Sequence, residues 1–206
     1  MSIPEKTGPW GRLRRFTPAR IGLARAGVAV ATTEQLAFQL AHARARDAVH
    51  APFDAAGVAD ELGKRGFAVV RRASAAPDRT GYLMSPDMGR KLADEARWKL
   101  SELACDFACD LALVVADGLS ALAAHRHAVP LIEALASRLP GDVKIGTVAV
   151  VERGRVAIGD EIGAALNARL VAVLIGERPG LSSPDSLGVY LTWAPKAGRK
   201  DSERNC

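Results

Sequence analysis

The run DLALVVA at residues 110–116 indicates the fold class, because it is continuously apolar after its first residue and ends in the polar loop DGLS at 117–120. Two further runs have the same character, TVAVV at 147–151 and LVAVLI at 170–175. Unbroken apolar runs of this length are typical of strands that are buried on both faces of a sheet. Because helical stretches separate the runs, the sequence predicts a parallel sheet that is covered by helices on both sides.

Weaker signals place the remaining elements along the chain. Short strands are predicted at 67–70 (FAVV) and 189–193, and residues 154–158 are predicted to form an arm of a hairpin. Helices, whose ends are marked by N-cap residues and by proline or glycine stops, are predicted over 32–51, 54–64, about 85–104, 120–137 and about 160–167. The sequence SPD, typical of a helix start, occurs at 85–87 and again at 183–185. The first long helix carries an apolar stripe that consists of Leu36, Leu40, Ala43 and Ala48.

These elements predict an α/β fold with a Rossmann-like, mostly parallel sheet flanked by helices and a small N-terminal helical unit. We expect residues 1–60 to form a polar arm and a small helical domain. Residues 61–206 would form the Rossmann-like α/β domain.

The composition narrows the class of protein. Of the 206 residues, 49% are hydrophobic and 25% are charged, which is ordinary for a globular protein with a buried core. Aromatic residues make up only 5%, which argues against a stacking platform for single-stranded nucleic acid. The formal net charge of +5 is compatible with nucleic acid or with an acidic partner subunit. The basic residues are scattered rather than striped, which weighs against a nucleic-acid surface.

Cysteine usage and the N-terminal residues predict a cytoplasmic protein. The chain has three cysteines, and its first residues, MSIPEKTGPW, contain no apolar segment, so we expect neither a signal peptide nor structural disulfides. Cys105 and Cys109 lie one helical turn apart, but no second Cys or His pair has the spacing to complete a zinc site. His125 and His127 point to different faces of a predicted helix.

Two predicted loops are candidate ligand sites, because ligands of open α/β sheets bind where loops leave the carboxyl ends of strands. They are DGLS at 117–120 and GERPG at 176–180; the second combines Glu177 and Arg178 with glycines that allow close approach of a ligand. A tight turn with solvated side chains is the alternative interpretation. Neither loop matches a P-loop or G-x-G-x-x-G, and no G-x-S-x-G occurs. We therefore expect no catalytic residue and no metal site in this chain.

Six segments resemble the small (light) subunit of ethanolamine ammonia-lyase, an adenosylcobalamin-dependent bacterial enzyme. They follow the order of that family over nearly the whole chain. The segments are TPARIGLARAG (17–27), YLMSPDMGRKL (82–92), VVADGLS (114–120), VERGRVAIGDEIG (151–163), LIGERPGLSSPDSL (174–187) and RNC (204–206).

The resemblance implies a function that is shared between two subunits. A large, TIM-barrel subunit would convert ethanolamine to acetaldehyde and ammonia by a radical mechanism. This chain would help to bind adenosylcobalamin at the interface, within a higher-order hetero-oligomer and with neither nucleic acid nor membrane as a partner. The cofactor would be base-on, and the chain lacks the D-x-H-x-x-G motif of proteins that displace the lower base.

The resemblance also implies three cofactor-binding residues, Val156, Glu177 and Cys206. A carboxylate accepts hydrogen bonds from corrin amides or ribose hydroxyls, and a branched apolar side chain can press on the corrin. Arg155 and Arg178 are adjacent candidates. Members of the family continue beyond the cysteine, so we expect Cys206 to lie on a free, mobile terminus.

Two other functions stay open at this point. A basic α/β nucleic-acid-binding protein would show salt-dependent binding to DNA. A standalone α/β enzyme that acts on a small molecule would be active without a partner. Encapsulation of the protein in a bacterial microcompartment is left open as well.

Overall fold

The computed structural model describes residues 9–23, 25–95 and 109–206. The N-terminal elements are α1 (Pro9–Leu13), β1 (Arg25–Ala26), β2 (Ala29–Val30), α2 (Thr32–His50) and α3 (Ala55–Lys64). Strands β1 and β2 form a small antiparallel hairpin. Helix α3 starts at the N-cap Asp54, whose carboxylate accepts a hydrogen bond from the backbone N–H of Gly57 at 2.8 Å. Both long helices follow the predicted ranges.

The apolar runs form one five-stranded sheet. Its strands are β3 (Val69–Ala73), β4 (Leu111–Ala116), β5 (Ile145–Glu152), β6 (Leu170–Gly176) and β7 (Leu187–Trp193). They lie in the order β3-β5-β4-β6-β7, and all neighbours are parallel except β7, which runs antiparallel to β6. The predicted α/β class with a mostly parallel sheet is therefore confirmed.

Helices cover both faces of the sheet because neighbouring residues of each buried strand point to opposite sides. The remaining α-helices among the described residues are α4 (Arg79–Met84), α5 (Ala121–Ala123), α6 (Val129–Ala136) and α7 (Ile158–Ala165). Leu113 and Val115 pack with Ile132 of α6 on one face, together with α3. Val114 packs on the other face, where Ile158 and Ile162 of α7 complete the core. The division of the chain into two domains at residue 60 stays a prediction.

The chain reverses its direction of winding between β4 and β6. From β4 it continues to β5 through α5 and α6, and from β5 it returns to β6 through α7 on the opposite face. A topological switch point, where ligands of open α/β sheets bind, therefore lies between the carboxyl ends of β4 and β5. The loop DGLS starts there, and GERPG starts beside it, at the end of β6.

The prediction of a helix that starts at 85–87 is wrong for the residues that the structure describes. Asp78 is the N-cap of α4 instead, accepting from the N–H of Gly81 at 2.7 Å, and α4 ends before Ser85. A 3-10 turn (Met88–Arg90) follows, and Leu92 then forms an isolated bridge with Ser74. Burial of Tyr82 and Leu92 in the core favours this path over a continuous helix. The continuation to residue 104, with Cys105, lies outside the described residues.

The apolar stripe predicted for α2 is buried only at its end. Ala48 is 3% exposed and packs inward, whereas Leu36 and Leu40 are 59% and 52% exposed in this chain. The helix reaches the rest of the molecule near its C-terminal turns, where it contacts α5. Periodicity identified the helix but not the face that this chain buries.

Two local predictions beside the sheet are also wrong. Residues 154–157 form a turn into α7 rather than a strand, because Ile158 is buried under the sheet and starts the helix there. The SPD sequence at 183–185 starts no helix: the carbonyl of Pro184 accepts from the Ser120 hydroxyl at 2.8 Å, and Asp185 pairs with Arg126. These tertiary contacts hold residues 183–185 in a loop.

Candidate functional site

A cleft of about 370 Å³ lies beside the carboxyl edge of the sheet, on the face that α7 covers. Four parts of the chain form its walls: the 3-10 turn that ends at Arg90, the turn before α7, strand β7 and the last residues of the chain. The lining residues are Arg90, Arg155, Val156, Ala157, Tyr190, Asp201, Arg204 and Cys206. Two of the three residues that the sequence singled out, Val156 and Cys206, therefore lie in one cleft.

The third residue, Glu177, is joined to the cleft through Tyr190. The Tyr190 hydroxyl donates a hydrogen bond to Oε1 of Glu177 at 2.7 Å. This bond, then burial and the charge of Glu177, raise the pKa of Tyr190 above its ordinary value, and Cys206 adds to the effect. Oε2 of Glu177 has no hydrogen-bond partner among the described residues. The carboxylate is therefore fixed by one oxygen and free to accept with the other.

Gly188 makes room for this arrangement. A Cβ atom at Gly188 would lie 2.0 Å from Oε1 of Glu177 and 3.0 Å from the ring of Tyr190. The Glu177 side chain thus crosses β7 at a position where only hydrogen fits. This requirement is invisible in the sequence, because Gly188 is eleven residues further along the chain.

Cys206 is held in place, contrary to the expectation of a mobile terminus. The N–H and carbonyl of Asn205 pair with the backbone of Leu191, at 3.0 and 2.8 Å. Both Nη atoms of Arg204 donate to the carboxylate of Asp160 on α7, at 2.5 and 2.8 Å, and each of the two side chains is only 3% exposed. This buried bidentate pair raises the pKa of Arg204 and anchors the last residues between α7 and β7.

The turn before α7 presents Arg155 and Val156 to the cleft. The Arg155 guanidinium lies over the Tyr82 ring, 4.6 Å from its centroid, and Arg79 lies 5.0 Å from the same centroid. Tyr82 is 1% exposed, and burial raises its pKa to about 12. Nε of Arg155 is buried and has no hydrogen-bond partner among the described residues. Arg155 also lines the cleft, so other parts of its side chain can contact a ligand there.

The loops DGLS and GERPG contact each other closely at the switch point. The N–H of Leu119 donates to the carbonyl of Gly176 at 2.8 Å. A Cβ atom at Gly176 would lie only 2.1 Å from the carbonyl oxygen of Ser120. The backbones of the two loops are therefore packed against each other, and the cleft lies next to them, between α7 and β7.

Segments far apart in the chain fix the rest of the GERPG loop. The Ser182 hydroxyl donates to the carbonyl of Pro18 at 3.2 Å, and Arg20 donates to the carbonyl of Leu181 at 3.4 Å. Arg178 is exposed. The N-terminal motif TPARIGLARAG and the GERPG motif, 150 residues apart, thus meet at one surface.

Four residues of the site escaped the analysis of the sequence as contributors to the cleft: Tyr82, Tyr190, Arg90 and Arg204. The rarity of tyrosine is a signal that could have identified two of these residues, because the chain has only two tyrosines and both border the site. Arg204 belongs to the RNC segment that resembles the family, but nothing in the sequence pairs it with Asp160 of α7.

The fold and the site define an open α/β protein with a candidate binding cleft beside its switch point. A family model, "Ethanolamine ammonia-lyase light chain (EutC)", matches residues 7–206. Similar proteins named ethanolamine ammonia-lyase small subunit include one from Azotobacter vinelandii, 53% identical over 206 residues, which cover 98% of this chain and 76% of the relative. Another, from Ralstonia nicotianae, is 55% identical over 201 residues, which cover 96% and 74%.

The chain therefore belongs to the ethanolamine ammonia-lyase light chain family. The resemblance of the six sequence segments is confirmed, and with it the assignment to a lyase. Membership of this family leaves the two alternatives, a nucleic-acid-binding protein and a standalone enzyme, without support. Among the described residues, no helix combines the length and the apolar character that crossing a membrane requires.

Proposed function

We propose that this chain covers adenosylcobalamin, bound base-on, at an interface with the large, TIM-barrel subunit of ethanolamine ammonia-lyase. The observation that carries the proposal is the convergence of Val156, Cys206 and the Glu177–Tyr190 pair around one cleft. Those residues come from four separate segments of the sequence. Their shared location supports a common ligand.

The residues of the cleft fit a corrinoid. Corrin side chains carry amides that donate hydrogen bonds, and Oε2 of Glu177 is an available acceptor. Amide carbonyls and a phosphodiester accept hydrogen bonds, and Arg90 and Arg155, which line the cleft, carry donors. Val156 offers an apolar contact to the rim of the macrocycle. A cleft of about 370 Å³ holds only part of so large a group, which agrees with a second subunit completing the site.

Each side chain has a separate task in this proposal. Glu177 orients the group through one oxygen while Tyr190 holds the other. Asn205 and Arg204 keep Cys206 at the wall of the cleft. When bound, the cofactor supplies the radical chemistry that deaminates ethanolamine, and this chain supplies position and electrostatics.

The partner and the location follow from the same proposal. The relatives are named small subunits, which implies a large subunit as the partner. We extend this to a higher-order hetero-oligomer in the cytoplasm, with encapsulation in a microcompartment left open. The scattered positive charge of the chain suits an acidic surface on that partner.

The test is equilibrium binding of cyanocobalamin to the complex of this chain with the large subunit, followed by the visible absorbance of the corrin. Glu177→Gln keeps the shape but removes the charge, and it should weaken binding on the order of tenfold, the loss expected for one charge-assisted hydrogen bond. Glu133→Gln is the matched control, because Glu133 lies on α6 and pairs only with Arg65 in an exposed contact. Wild-type affinity in the Glu177 variant would contradict the proposed site.

A further inference from the structure

The turn at residues 153–156 is strained and is held by buried side chains outside the cleft. Arg153 has a φ of 56°, a left-handed conformation that is costly for a residue with a side chain. The N–H of Gly154 donates to Oδ1 of Asp117 at 3.2 Å, and its carbonyl accepts from the Tyr82 hydroxyl at 3.2 Å. Both polar backbone groups of Gly154 are thus bound by side chains that are themselves buried.

Asp117 is fixed in turn by Arg79. Nη1 of Arg79 lies 3.1 Å from Oδ2 of Asp117, and the Asp117 side chain is only 5% exposed. The same guanidinium donates to the carbonyl of Gly118 at 2.8 Å and to that of Val49 at 2.7 and 2.9 Å. These bonds tie Arg79 to the end of α2 and to the loop after β4. The Asp117 carboxylate therefore has one orientation, with an oxygen on the turn.

The contacts continue from Arg79 to the cleft through Tyr82. The ring of Tyr82 is in contact with the guanidinium groups of both Arg79 and Arg155. Nη2 of Arg155 donates to the carbonyl of Tyr82 at 3.2 Å, and the N–H of Arg155 donates to the carbonyl of Gly89 at 2.8 Å. The position of Arg155, and of Val156 beside it, thus depends on the buried network behind the turn.

We infer that Asp117, together with Arg79, is a positioning residue that sets the 153–156 turn against the cofactor cleft. This inference rests on the proposed function, since it assumes that Val156 contacts the cofactor. Asp117 itself lies behind the turn and does not line the cleft. Its effect on the cofactor is therefore indirect, through the backbone of Gly154.

The experiment measures two quantities in the complex with the large subunit: the Kd of cyanocobalamin by absorbance, and kcat at saturating adenosylcobalamin. Asp117→Asn keeps an acceptor for Gly154 but loses the charge that faces Arg79. We expect its Kd to rise on the order of tenfold, with kcat kept, because a misplaced binding group costs affinity first. The double variant with Arg79→Gln should bind no more weakly than the weaker single variant, since the two residues act as one unit.

Asp110→Asn is the matched control. Asp110 lies at the other end of β4 and also accepts from one arginine, Arg169, and one backbone N–H, that of Lys144, each at 2.9 Å. Its substitution should leave the Kd of cyanocobalamin unchanged. An equal rise in Kd for both variants would show a general loss of structure and would overturn the inference, as would a wild-type Kd for Asp117→Asn.

A third variant separates failure of this inference from failure of the proposed function. Val156→Ala should raise the Kd of cyanocobalamin if the cleft holds the cofactor. A change in Val156→Ala with none in Asp117→Asn overturns only the positioning role, whereas no change in either overturns the proposed site as well. Should Asp117→Asn not assemble with the large subunit, Arg79→Lys takes its place. Weaker binding by that variant supports the inference, and a wild-type Kd overturns it.

Discussion

The two ends of strand β4 carry the same residue type in opposite environments. Asp110, at the amino edge of the sheet, is partly exposed, and its hydrogen bonds with the N–H of Lys144 and with Arg169 lower its pKa. Asp117, at the carboxyl edge, also has a backbone donor and an arginine, yet burial raises its pKa to about 6. The partners are alike, so the difference comes from desolvation.

This contrast extends over both edges of the sheet. At the carboxyl edge, Asp117 is buried, whereas the buried Arg204–Asp160 pair lies further from this edge, beside Thr192 of β7. At the amino edge, the Arg169–Asp110 pair is open to solvent. Burial of a charged group costs stability, and the buried Asp117 lies behind the turn that lines the candidate cleft. The edge with the candidate cleft is thus the edge that departs from a simple packed core.

The largest effect is expected from Arg204→Ala. The substitution leaves the Asp160 carboxylate buried without its partner, which should lower the free energy of unfolding by about 3–5 kcal/mol. The matched change at the amino edge is Arg169→Ala, whose ion pair is exposed, and its effect should be far smaller. Urea denaturation followed by circular dichroism measures both. Equal losses would show that burial does not distinguish the two ion pairs.

The second effect concerns the contact between the loops after β4 and β6. In Gly176→Ala, the new Cβ atom would lie 2.1 Å from the carbonyl oxygen of Ser120 and 2.5 Å from that of Asp117. Because neither backbone atom can turn aside, the loops must separate, and the expected loss is about 2–3 kcal/mol. Gly141→Ala is the control, since a Cβ there meets nothing within 4 Å. A small loss for Gly176→Ala, measured by the same denaturation, would contradict the close packing.

The third effect is a pH dependence with opposite signs at the two ends of β4. The pKa of Asp117 is raised from 3.8 to about 6, so between those values the folded state binds more protons than the unfolded state. The stability contributed by this group therefore falls as pH rises through that window, by up to about 3 kcal/mol. The lowered pKa of Asp110 has the reverse consequence, since its contribution is lost as pH falls below 3.8.

Denaturation at several pH values distinguishes these signs. The free energy of unfolding of wild type minus that of Asp117→Asn should decrease as pH rises to about 6. The difference for Asp110→Asn should have the opposite slope just above pH 3.8 and should level off as pH approaches about 6. If this difference for Asp117→Asn does not change with pH, the Asp117 carboxyl group of wild type titrates as it does in the unfolded chain.

The smallest effect on stability is expected from Gly188→Ala, although it should impair binding. The new Cβ atom would displace the end of the flexible Glu177 side chain, so the fold can adjust at little cost. Glu177 would lose its bond with Tyr190, and cyanocobalamin should bind several-fold more weakly to the complex with the large subunit. Gly63→Ala, where a Cβ meets no atom within 4 Å, should bind as wild type does. Unchanged affinity in Gly188→Ala would argue that the position of Glu177 does not matter.

The local sequence was sufficient to predict those elements whose structure depends on their own residues. The runs at 111–116 and 170–175 are strands because their residues are apolar without interruption, and that pattern suits a sheet covered on both faces. The same reasoning failed at 183–185, where contacts with Ser120 and Arg126 hold the helix-start sequence SPD in a loop. It also failed at 85–87, which precedes a 3-10 turn and not a helix. Local propensity is weak and tertiary contacts override it.

The candidate site shows the same division between near and distant contacts. Glu177 follows the end of β6, so its place at the carboxyl edge follows from the strand prediction. Its partner Tyr190 depended on the antiparallel pairing of β7, which the sequence did not predict. The sequence by itself determined the class of sheet and the family, through apolar runs and contiguous motifs. Only the tertiary structure decided that Cys206 reaches Val156, because a buried ion pair between Arg204 and Asp160, 44 residues apart, has no signature in the spacing of the chain.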